Sequence, residues 1–312
     1  MSYERKVFSE LGLPSRDKVL KLLLTSLLNH KGVIKEFGSG NQEFVNELAD
    51  SLLLSKKQRS FLMKTIVRKE GRLKTFPAWH RLLFRAADMA AKQKLLIHPK
   101  DTLKITGHRE WMLTEKGIDE ALRISKIPVN LKQDLPVITY EVLKEKNKLE
   151  KAERIANYNP IDAGKRARVV TRESLLRTRG FRQAIIYAYN SSCCICGLKL
   201  PSPFSLTWEV EAAHIVPHRF NGKDDIWNGI ALCRFHHWSF DVGWFTLRPD
   251  FTIEINEHIH RVPPNYGYMG NFDVLRQLIR PNQQIKLPER KSIVPHENSI
   301  IWHRNNIFSK LI

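Results

Sequence analysis

The sequence predicts an α+β protein with two domains: a helical first domain that carries a short β-ribbon, and a second domain stabilised by metal. Three observations predict this architecture. The chain of 312 residues is longer than one hydrophobic core usually supports. Apolar residues recur at helical spacing through the first third of the chain. The 4 cysteines all fall between Cys193 and Cys233, and in a reducing compartment such a group binds metal more often than it forms disulfides.

The composition indicates a partner and argues against a membrane protein. A formal net charge of +19 favours a polyanion as the partner. No segment approaches the roughly 20 consecutive apolar residues that cross a bilayer. The first residues contain no apolar signal segment, so we expect a cytoplasmic protein. Since no basic helix has a face of Trp, Phe and Leu, nucleic acid is favoured over an acidic membrane surface.

Composition also divides the chain. We expect the first domain at residues 12–126 and the second, with a C-terminal extension, at residues 171–312. The segment between them, residues 127–170, contains prolines that interrupt regular structure. Its one helical stretch, residues 140–158, is rich in charge and is expected to be solvated. We therefore predict a linker with one charged helix.

Four helices are predicted in the first domain. Ser15 is a candidate N-cap of the first helix, and Ser55 with Gln58 has the spacing of a capping box for the third. The fourth helix has Thr75 as its candidate cap, Pro77 near its first turn, and one apolar face. Its other faces carry basic side chains that suit phosphate contacts: His80, Arg81, Arg85, Lys92 and Lys94.

A β-ribbon and a last helix complete the first domain. Short strands are expected at residues 95–97, 102–106 and 111–113, and Thr114 is the candidate cap of the closing helix. Helices followed by such a ribbon are typical of the winged helix, a relative of the helix-turn-helix.

One stretch of this domain resembles a known family. Residues 79–117, most sharply in the pattern Trp-x-Leu-Thr-x-x-Gly that begins at Trp111, resemble the N-terminal domain of Mrr-type restriction proteins. The resemblance implies DNA binding, with the fourth helix in the major groove and the arginines and lysines of that helix as contacts. The alternative is a helical packing or dimerisation module.

A second basic segment precedes the cysteines. Its arginines include Arg172 and Arg182, and a run of like charge is usually a solvated helix face. Because this run leads directly into the cysteine region, contacts to the DNA backbone are an equal alternative. Apolar residues from Phe181 to Tyr189 recur at helical spacing, so we expect a helix that ends just before Cys193.

Two short motifs have the spacing of a structural zinc site. Cys193 and Cys196 form a C-x-x-C turn, and Cys233 with His236 forms a C-x-x-H partner. Four nitrogen and sulfur ligands suit tetrahedral zinc, and a small domain gains folding free energy from the ion. Cys194 is interpreted as a small buried residue. A cluster of buried cysteines without a ligand is the alternative.

A second set of residues in the same region has a fixed order. The sequence reads Ala-His-Ile-x-Pro around His214, Asn-Gly-x-x-Leu-Cys from Asn228, and His-His-x-x-Phe-Asp from His236. We expect a strand that ends at His214, a loop, and a helix that begins near Leu232. Strand, strand and helix around a metal form the ββα-metal architecture. Together with the preceding C-x-x-C motif, these patterns strongly resemble the HNH endonuclease family, in its bacterial restriction-enzyme branch.

This resemblance implies a role for each residue. Hydrolysis of a phosphodiester needs an activated water, and His214 fits the general base because a neutral imidazole titrates near physiological pH. Asn228 is expected to orient that imidazole. His237 and Asp241 are four residues apart on one helix face. They are expected to hold one catalytic cation, Mg²⁺, Mn²⁺ or Ni²⁺, against the scissile phosphate.

One position departs from the family pattern. Where the family has Asp or His directly before the general base, this chain has Ala213. Glu211 shares the strand face of that position and has a longer side chain, so we expect Glu211, or water, to fill the third ligand position. His218 is a weaker candidate for a phosphate contact, and His303 is expected to be structural.

The sequence therefore predicts a DNA endonuclease of the restriction or defence type, with a structural zinc ion and a divalent cation. Because one active site cuts one strand of double-stranded DNA, a homodimer is expected to cut both. A companion methyltransferase is a further possible partner, acting on the same site. The alternative is an HNH-fold DNA-binding regulator with weak or no activity, of which Ala213 would be the mark. An RNA-directed nuclease is a third candidate, which the predicted winged helix disfavours.

Overall fold

The chain divides into two compact units, Met1–Glu141 and Val142–Ile312. The computed structural model describes residues 3–37, 41–67, 72–164, 172–201, 208–256 and 277–309, without the side chains of residues 65–67, 72, 73 and 172. Among these residues, no helix combines the length and the hydrophobicity that crossing a bilayer requires.

The first unit is mainly helical. In chain order its helices are α1 (Tyr3–Glu10), α2 (Arg16–Asn29), α3 (Gln42–Ser51), α4 (Lys56–Ser60), α5 (Ala78–Lys92), α6 (Pro99–Thr106) and α7 (Glu115–Ile124). The core forms where α2 packs against α5 and α7. The apolar residues of α5 recur every three or four positions, which places Trp79, Leu83 and Ala87 on one buried face.

Five strands accompany these helices in the described part of the first unit. They are β1 (Val33–Lys35), β2 (Leu62–Val67), β3 (Arg72–Pro77), β4 (Leu96–Ile97) and β5 (Glu110–Leu113). β5 is the central strand of an antiparallel sheet in the order β1-β5-β4, with Ile34 opposite Trp111 and Leu96 opposite Leu113. β2 and β3 form a separate antiparallel hairpin.

Three of the predicted helix caps of this unit are confirmed, because their side chains accept hydrogen bonds from backbone N–H groups of the first turn. Ser15 accepts a hydrogen bond from the backbone of Lys18, and Thr114 accepts one from Gly117. Ser55 and Gln58 form the expected capping box. Thr75 was the wrong cap for α5, because it lies within β3, and Pro77 occupies the N-cap position.

The strand expected at residues 102–106 is wrong, because these residues belong to α6. The His98 side chain accepts a hydrogen bond from Lys100 and so caps the helix, Pro99 opens its first turn, and Gly107 ends it with a left-handed φ of 74°. The Thr102 hydroxyl donates to the carbonyl of Glu110 at 2.7 Å. A residue type that favours strands therefore serves here to fasten a helix to the start of β5.

The second unit follows the start of α8 (Tyr140–Glu150). Its further elements are α9 (Arg172–Ala188), β6 (Val210–His214), β7 (Gly229–Cys233), α10 (Arg234–Asp241), β8 (Phe245–Leu247), β9 (Ile253–Ile255) and α11 (Glu297–His303). β6 pairs with β7 and β8 pairs with β9, both antiparallel. One hydrophobic cluster joins α9, β6, β7, α10 and α11, with Phe181, Ile230 and Ile300 among its buried members.

Part of the segment between the predicted domains lies in the second unit. The helix expected to reach residue 158 ends at Glu150. Tyr158 is buried, with its ring edge-on to Trp227 at 5.4 Å and its hydroxyl donating to Asp225 at 3.1 Å. This tyrosine therefore fastens residues 151–164 to the loop that precedes β7.

His303 is structural, as the sequence predicted. It is 1% exposed, and its ring stacks on Phe240 with the centroids 3.7 Å apart. Its Nδ1 lies 2.9 Å from the Thr246 hydroxyl, and its Nε2 lies 3.1 Å from the Phe240 carbonyl oxygen. Burial lowers the pKa of His303 to about 3, so the folded protein keeps this imidazole neutral at physiological pH.

The buried imidazole makes stability depend on pH. An unfolded histidine has a pKa of about 6.5, so between about pH 6.5 and pH 3 the unfolded chain binds a proton that the folded chain does not. The stabilisation is complete above pH 6.5 and falls as pH decreases. Between pH 7.5 and pH 5.5, the wild type should lose about 1.4 kcal/mol more unfolding free energy than His303→Gln, measured by urea denaturation. Equal losses in both proteins would contradict this prediction.

Candidate active site

Two antiparallel strands and a helix form the framework of the site. Ala213 lies opposite Ile230, and His214 lies opposite Gly229, so β6 ends where β7 begins. β7 is buried along its whole length and leads directly into α10. The expected order of strand, strand and helix is present, although the helix begins at Arg234 because Leu232 belongs to β7.

His214 is held on two sides. Its ring stacks on Phe181 of α9, with the centroids 4.0 Å apart and an interplanar angle of 18°. Its Nε2 lies 2.9 Å from Asp224 Oδ1, and His218 Nε2 lies 2.9 Å from the same oxygen. Burial acts to raise the pKa of Asp224, but the hydrogen bonds from the two imidazoles outweigh it and lower that pKa. Asp224 is therefore an ionised acceptor shared by two histidines.

Asn228 organises the loop that follows His214. Its side chain is fully buried, accepts from the backbone N–H of Val216 at 2.9 Å, and donates to the carbonyls of Val216 at 3.1 Å and Lys223 at 3.0 Å. Gly222 permits this packing, because a Cβ at that position would lie 1.7 Å from the Val216 carbonyl oxygen. Asn228 thus holds the backbone of the loop that follows His214, and its hydrogen bonds go to Val216 and Lys223.

A second group of titratable side chains lies across β6 and α10. His237 Nδ1 is 2.8 Å from Glu211 Oε2, and its Nε2 is 3.6 Å from Asp241 Oδ2. The two carboxylates therefore meet different nitrogens of one ring. Ala213, between Glu211 and His214 on the strand, is fully buried. A side chain at position 213 would have to enter the core in this backbone arrangement.

Charge couples the members of this group. The hydrogen bond to His237 lowers the pKa of Glu211, and the charge of Arg182 contributes to the same shift. Burial raises the pKa of Asp241. Burial acts to lower the pKa of His237, but the hydrogen bond with Glu211 reverses that effect and raises it. A positive charge on or beside the His237 ring is therefore favoured by its surroundings.

The His237–Asp241 pair could hold a divalent cation. Imidazole suits Ni²⁺, carboxylate suits Mg²⁺ and Mn²⁺, and the 3.6 Å gap between Nε2 and Oδ2 leaves both atoms able to face one ion. Glu211 does not share that gap, because it contacts Nδ1. A carboxylate on the second ring nitrogen is the usual support of a metal-binding histidine.

The four predicted zinc ligands come together in the second unit. The Sγ atoms of Cys193, Cys196 and Cys233 and a ring nitrogen of His236 all lie within 4.8 Å of one another. His236 Nδ1 is 3.0 Å from Cys233 Sγ and 3.5 Å from Cys193 Sγ. Hydrogen bonds from Cys196 and Cys233 lower the pKa of Cys193, and the hydrogen bond with Cys193 raises the pKa of Cys233. This cluster could hold a zinc ion.

The surroundings of the cluster support its use as a metal site. His236 Nε2 lies 2.9 Å from the carbonyl oxygen of Leu278, which fixes Nε2 as the donor and leaves Nδ1 for a ligand bond. Gly197 takes a left-handed φ of 75° in the turn after Cys196. Cys194 is buried and lies outside the ligand group, and burial raises the pKa of its thiol.

Sequence reasoning missed Asp224. Asp224, His214 and His218 form a group whose possible metal-binding atoms all lie within 4.8 Å of one another. Besides the zinc cluster, it is the second such group among the described residues. Glu211, His237 and Asp241 do not meet that distance among the described residues. A signal was present, because an acidic residue lies in the loop between two predicted site residues. That signal is weak, since acidic loop residues are common and their partners depend on how the loop folds.

The predicted DNA contacts of the first unit differ in their environment. Arg81 and Arg85 both bind the carboxylate of Glu4, at 2.8 Å and 2.9 Å. Lys92 and Lys94 are exposed at the end of α5. In the second unit, Arg182 lies on α9, whereas the side chain of Arg172 falls outside the described part of the chain.

Comparison with known proteins identifies one part of the chain. Residues 193–248 match the family described as HNH endonuclease, so the chain contains an HNH domain over that range. No curated protein matches the chain. A solved structure described as "Modification dependent TagI restriction endonuclease" is 18% identical over 41% of this chain and 37% of that chain, with a TM-score of 0.29. The HNH match supports a nuclease.

Proposed function

We propose that this protein is a metal-dependent endonuclease that hydrolyses phosphodiester bonds of double-stranded DNA in restriction or defence. The observation that carries the proposal is the HNH domain with His214 at the end of β6 and the His237–Asp241 pair on α10. The net charge of +19 provides the attraction to a polyanionic substrate. Incubation of the wild type with supercoiled plasmid, with Mg²⁺, Mn²⁺ or Ni²⁺ and with a chelator, tests the proposal directly. Intact plasmid under every condition would overturn it.

The residues of the chain supply the proton transfer and its geometry. His214 accepts the proton of the attacking water, and its stacking on Phe181 keeps the ring in one plane. Asn228 holds the loop backbone beside it. His237 and Asp241 hold the divalent cation, and Glu211 supports the His237 ring from its other side. When bound there, the cation supplies charge stabilisation to the phosphate and to the leaving 3′ oxygen.

Glu211 is proposed to compensate for Ala213. It does so by fixing the His237 ring through Nδ1, and removal of such a partner typically weakens metal binding about 10–100-fold. Glu211→Ala should therefore raise the Mn²⁺ concentration needed for half-maximal cleavage by about 10–100-fold. The matched control is Glu289→Ala, which removes an exposed carboxylate elsewhere in the second unit. An unchanged metal requirement in Glu211→Ala would remove this role.

A regulator without nuclease activity is the second candidate, because position 213 offers only a buried methyl group where the HNH pattern has a ligand. The same plasmid assay separates the two candidates. Sequence-specific binding of duplex DNA without cleavage at any metal concentration would favour the regulator.

We further propose that the first unit binds DNA as a winged helix. Its support is the order of helices α2 to α5, the paired strands β4 and β5, and the closing helix α7. The proposed boundaries are residues 12–126 for this domain, 127–170 for the linker and 171–312 for the nuclease domain. A homodimer would bring one active site to each strand. A methyltransferase that modifies the same DNA site is proposed as a companion.

Lys92 and Lys94 are the stronger candidates for phosphate contacts, since the Glu4 carboxylate already neutralises charge on the two arginines of α5. Each phosphate contact contributes roughly 0.9 to the slope of log K against log salt. The double variant Lys92→Gln/Lys94→Gln should lower that slope by about 1.8 in fluorescence anisotropy titrations with duplex DNA. Lys148→Gln/Lys151→Gln, which removes two exposed lysines of the second unit, is the control. Equal slopes for the first variant and the wild type would exclude these contacts.

A further inference from the structure

We propose that Asp224 is the positioning residue that sets the tautomer of the His214 ring for proton abstraction. The inference rests on the proposed nuclease function and names the group that prepares its general base.

The hydrogen-bond chemistry of Asp224 leads to this assignment. An ionised carboxylate accepts hydrogen bonds and donates none. Its Oδ1 lies 2.9 Å from His214 Nε2, so Nε2 carries the hydrogen. In the neutral ring the basic lone pair is then on Nδ1. A histidine that accepts a proton at one nitrogen is commonly held by a carboxylate at the other, and loss of that carboxylate leaves the wrong tautomer.

The position of Asp224 is fixed by several contacts. Its side chain is 16% exposed, and its second oxygen lies 3.5 Å from the Thr178 hydroxyl of α9. The next residue, Asp225, accepts the hydroxyl of Tyr158 at 3.1 Å and its carbonyl accepts the N–H of Asn228 at 2.9 Å. The carboxylate therefore approaches His214 from a loop that is anchored on both sides.

His218 gives the same carboxylate a second partner. Its Nε2 lies 2.9 Å from Asp224 Oδ1, and its ring is edge-on to His214 with the centroids 4.2 Å apart. Two N–H donors on one oxygen keep the carboxylate ionised, which is the state that holds the His214 tautomer. The three side chains could instead surround a metal ion, and the experiment has to separate that use from positioning.

The kinetic test compares Asp224 with an exposed carboxylate of the same unit. Asp224→Asn should lower kcat by at least about tenfold and up to about 10⁴-fold, with unchanged KM for plasmid and unchanged Mn²⁺ half-saturation. Asp224→Glu, which restores an ionised carboxylate, should recover part of the loss. Glu289→Gln, the control, changes an exposed carboxylate elsewhere in the second unit and should cleave at the wild-type rate. A kcat for Asp224→Asn equal to the wild-type kcat overturns the proposal. A rise of about tenfold or more in the Mn²⁺ concentration for half-maximal cleavage also overturns it, because Asp224 would then be a metal ligand.

A second readout does not depend on cleavage. Two-bond ¹H–¹⁵N spectra of histidine-labelled protein, assigned by comparison with His214→Gln, report which ring nitrogen carries the hydrogen. The wild type should show His214 with the hydrogen on Nε2, and Asp224→Asn should show a mixture or the other tautomer. If the wild type leaves DNA intact, the proposed function fails while this measurement still tests Asp224. The same His214 tautomer in the wild type and Asp224→Asn overturns the inference even if the wild type cleaves DNA.

Discussion

His214→Ala is expected to reduce the rate of plasmid cleavage by about 10²–10⁴-fold, which is the usual contribution of a general base. The variant removes the imidazole but leaves the His237–Asp241 pair and the zinc ligands in place. DNA affinity should therefore be unchanged, and the loss should appear in the single-turnover rate at saturating protein. Because the ring stacks on Phe181, a small loss of stability is also expected, and thermal unfolding should be measured beside the rate.

The control for this prediction is another histidine-to-alanine change. His30 lies in the first unit, where it is partly exposed and pairs with Glu47 at 2.7 Å. His30→Ala should cleave plasmid at the wild-type rate. Cleavage by His214→Ala at that same rate would remove His214 from the mechanism and leave the HNH domain without its proposed base.

Cys233→Ala is expected to unfold the second unit. Cys233 is buried, lies at the N-cap position of α10, and is close to both Cys196 and His236. A structural zinc ion contributes about 10–16 kcal/mol in zinc-finger peptides, as much as the whole stability of a typical domain, about 5–15 kcal/mol. The variant should therefore contain no zinc, measured with a chromogenic chelator after denaturation. Its thermal unfolding should also lack one of the cooperative transitions of the wild type.

Cys194→Ala provides the matched control, because Cys194 is equally buried but lies outside the ligand group. It removes a sulfur atom from the turn that carries Cys193 and Cys196 and should keep the full zinc content. Cys233→Ala with wild-type zinc content and an unchanged melting profile would exclude the proposed metal site. Loss of zinc in Cys194→Ala but not in Cys233→Ala would show that Cys194, and not Cys233, is the zinc ligand.

The sequence was sufficient to predict the placement of a residue where that placement depends on near neighbours in the chain. The cysteine pairs, the capping residues and the His237–Asp241 spacing each involve separations of three or four residues, and turns or helices convert such spacings into fixed geometry. The order of motifs was also sufficient for the HNH domain, whose match covers residues 193–248. The pairing of β6 with β7 follows from the same order, since the two strands flank one loop.

The sequence was insufficient where contacts join distant residues or where propensity is overridden. Asp224 became a site residue only because the loop turns it toward His214. The pairing of Arg81 and Arg85 with Glu4 spans more than 70 positions, so two predicted DNA contacts acquired an intramolecular partner. The β-branched residues of α6 favour a strand, whereas its cap His98, Pro99 in its first turn and Gly107 at its end favour the helix that forms.

The two proposed metal sites meet at consecutive residues of one helix. His236 belongs to the zinc cluster and His237 to the group with Glu211, and successive helical residues point about 100° apart. A slip of α10 by a single residue would turn the wrong imidazole toward each site. Insertions or deletions between Cys233 and Asp241 should therefore damage folding and chemistry together, and length variation is tolerable only outside this short helix.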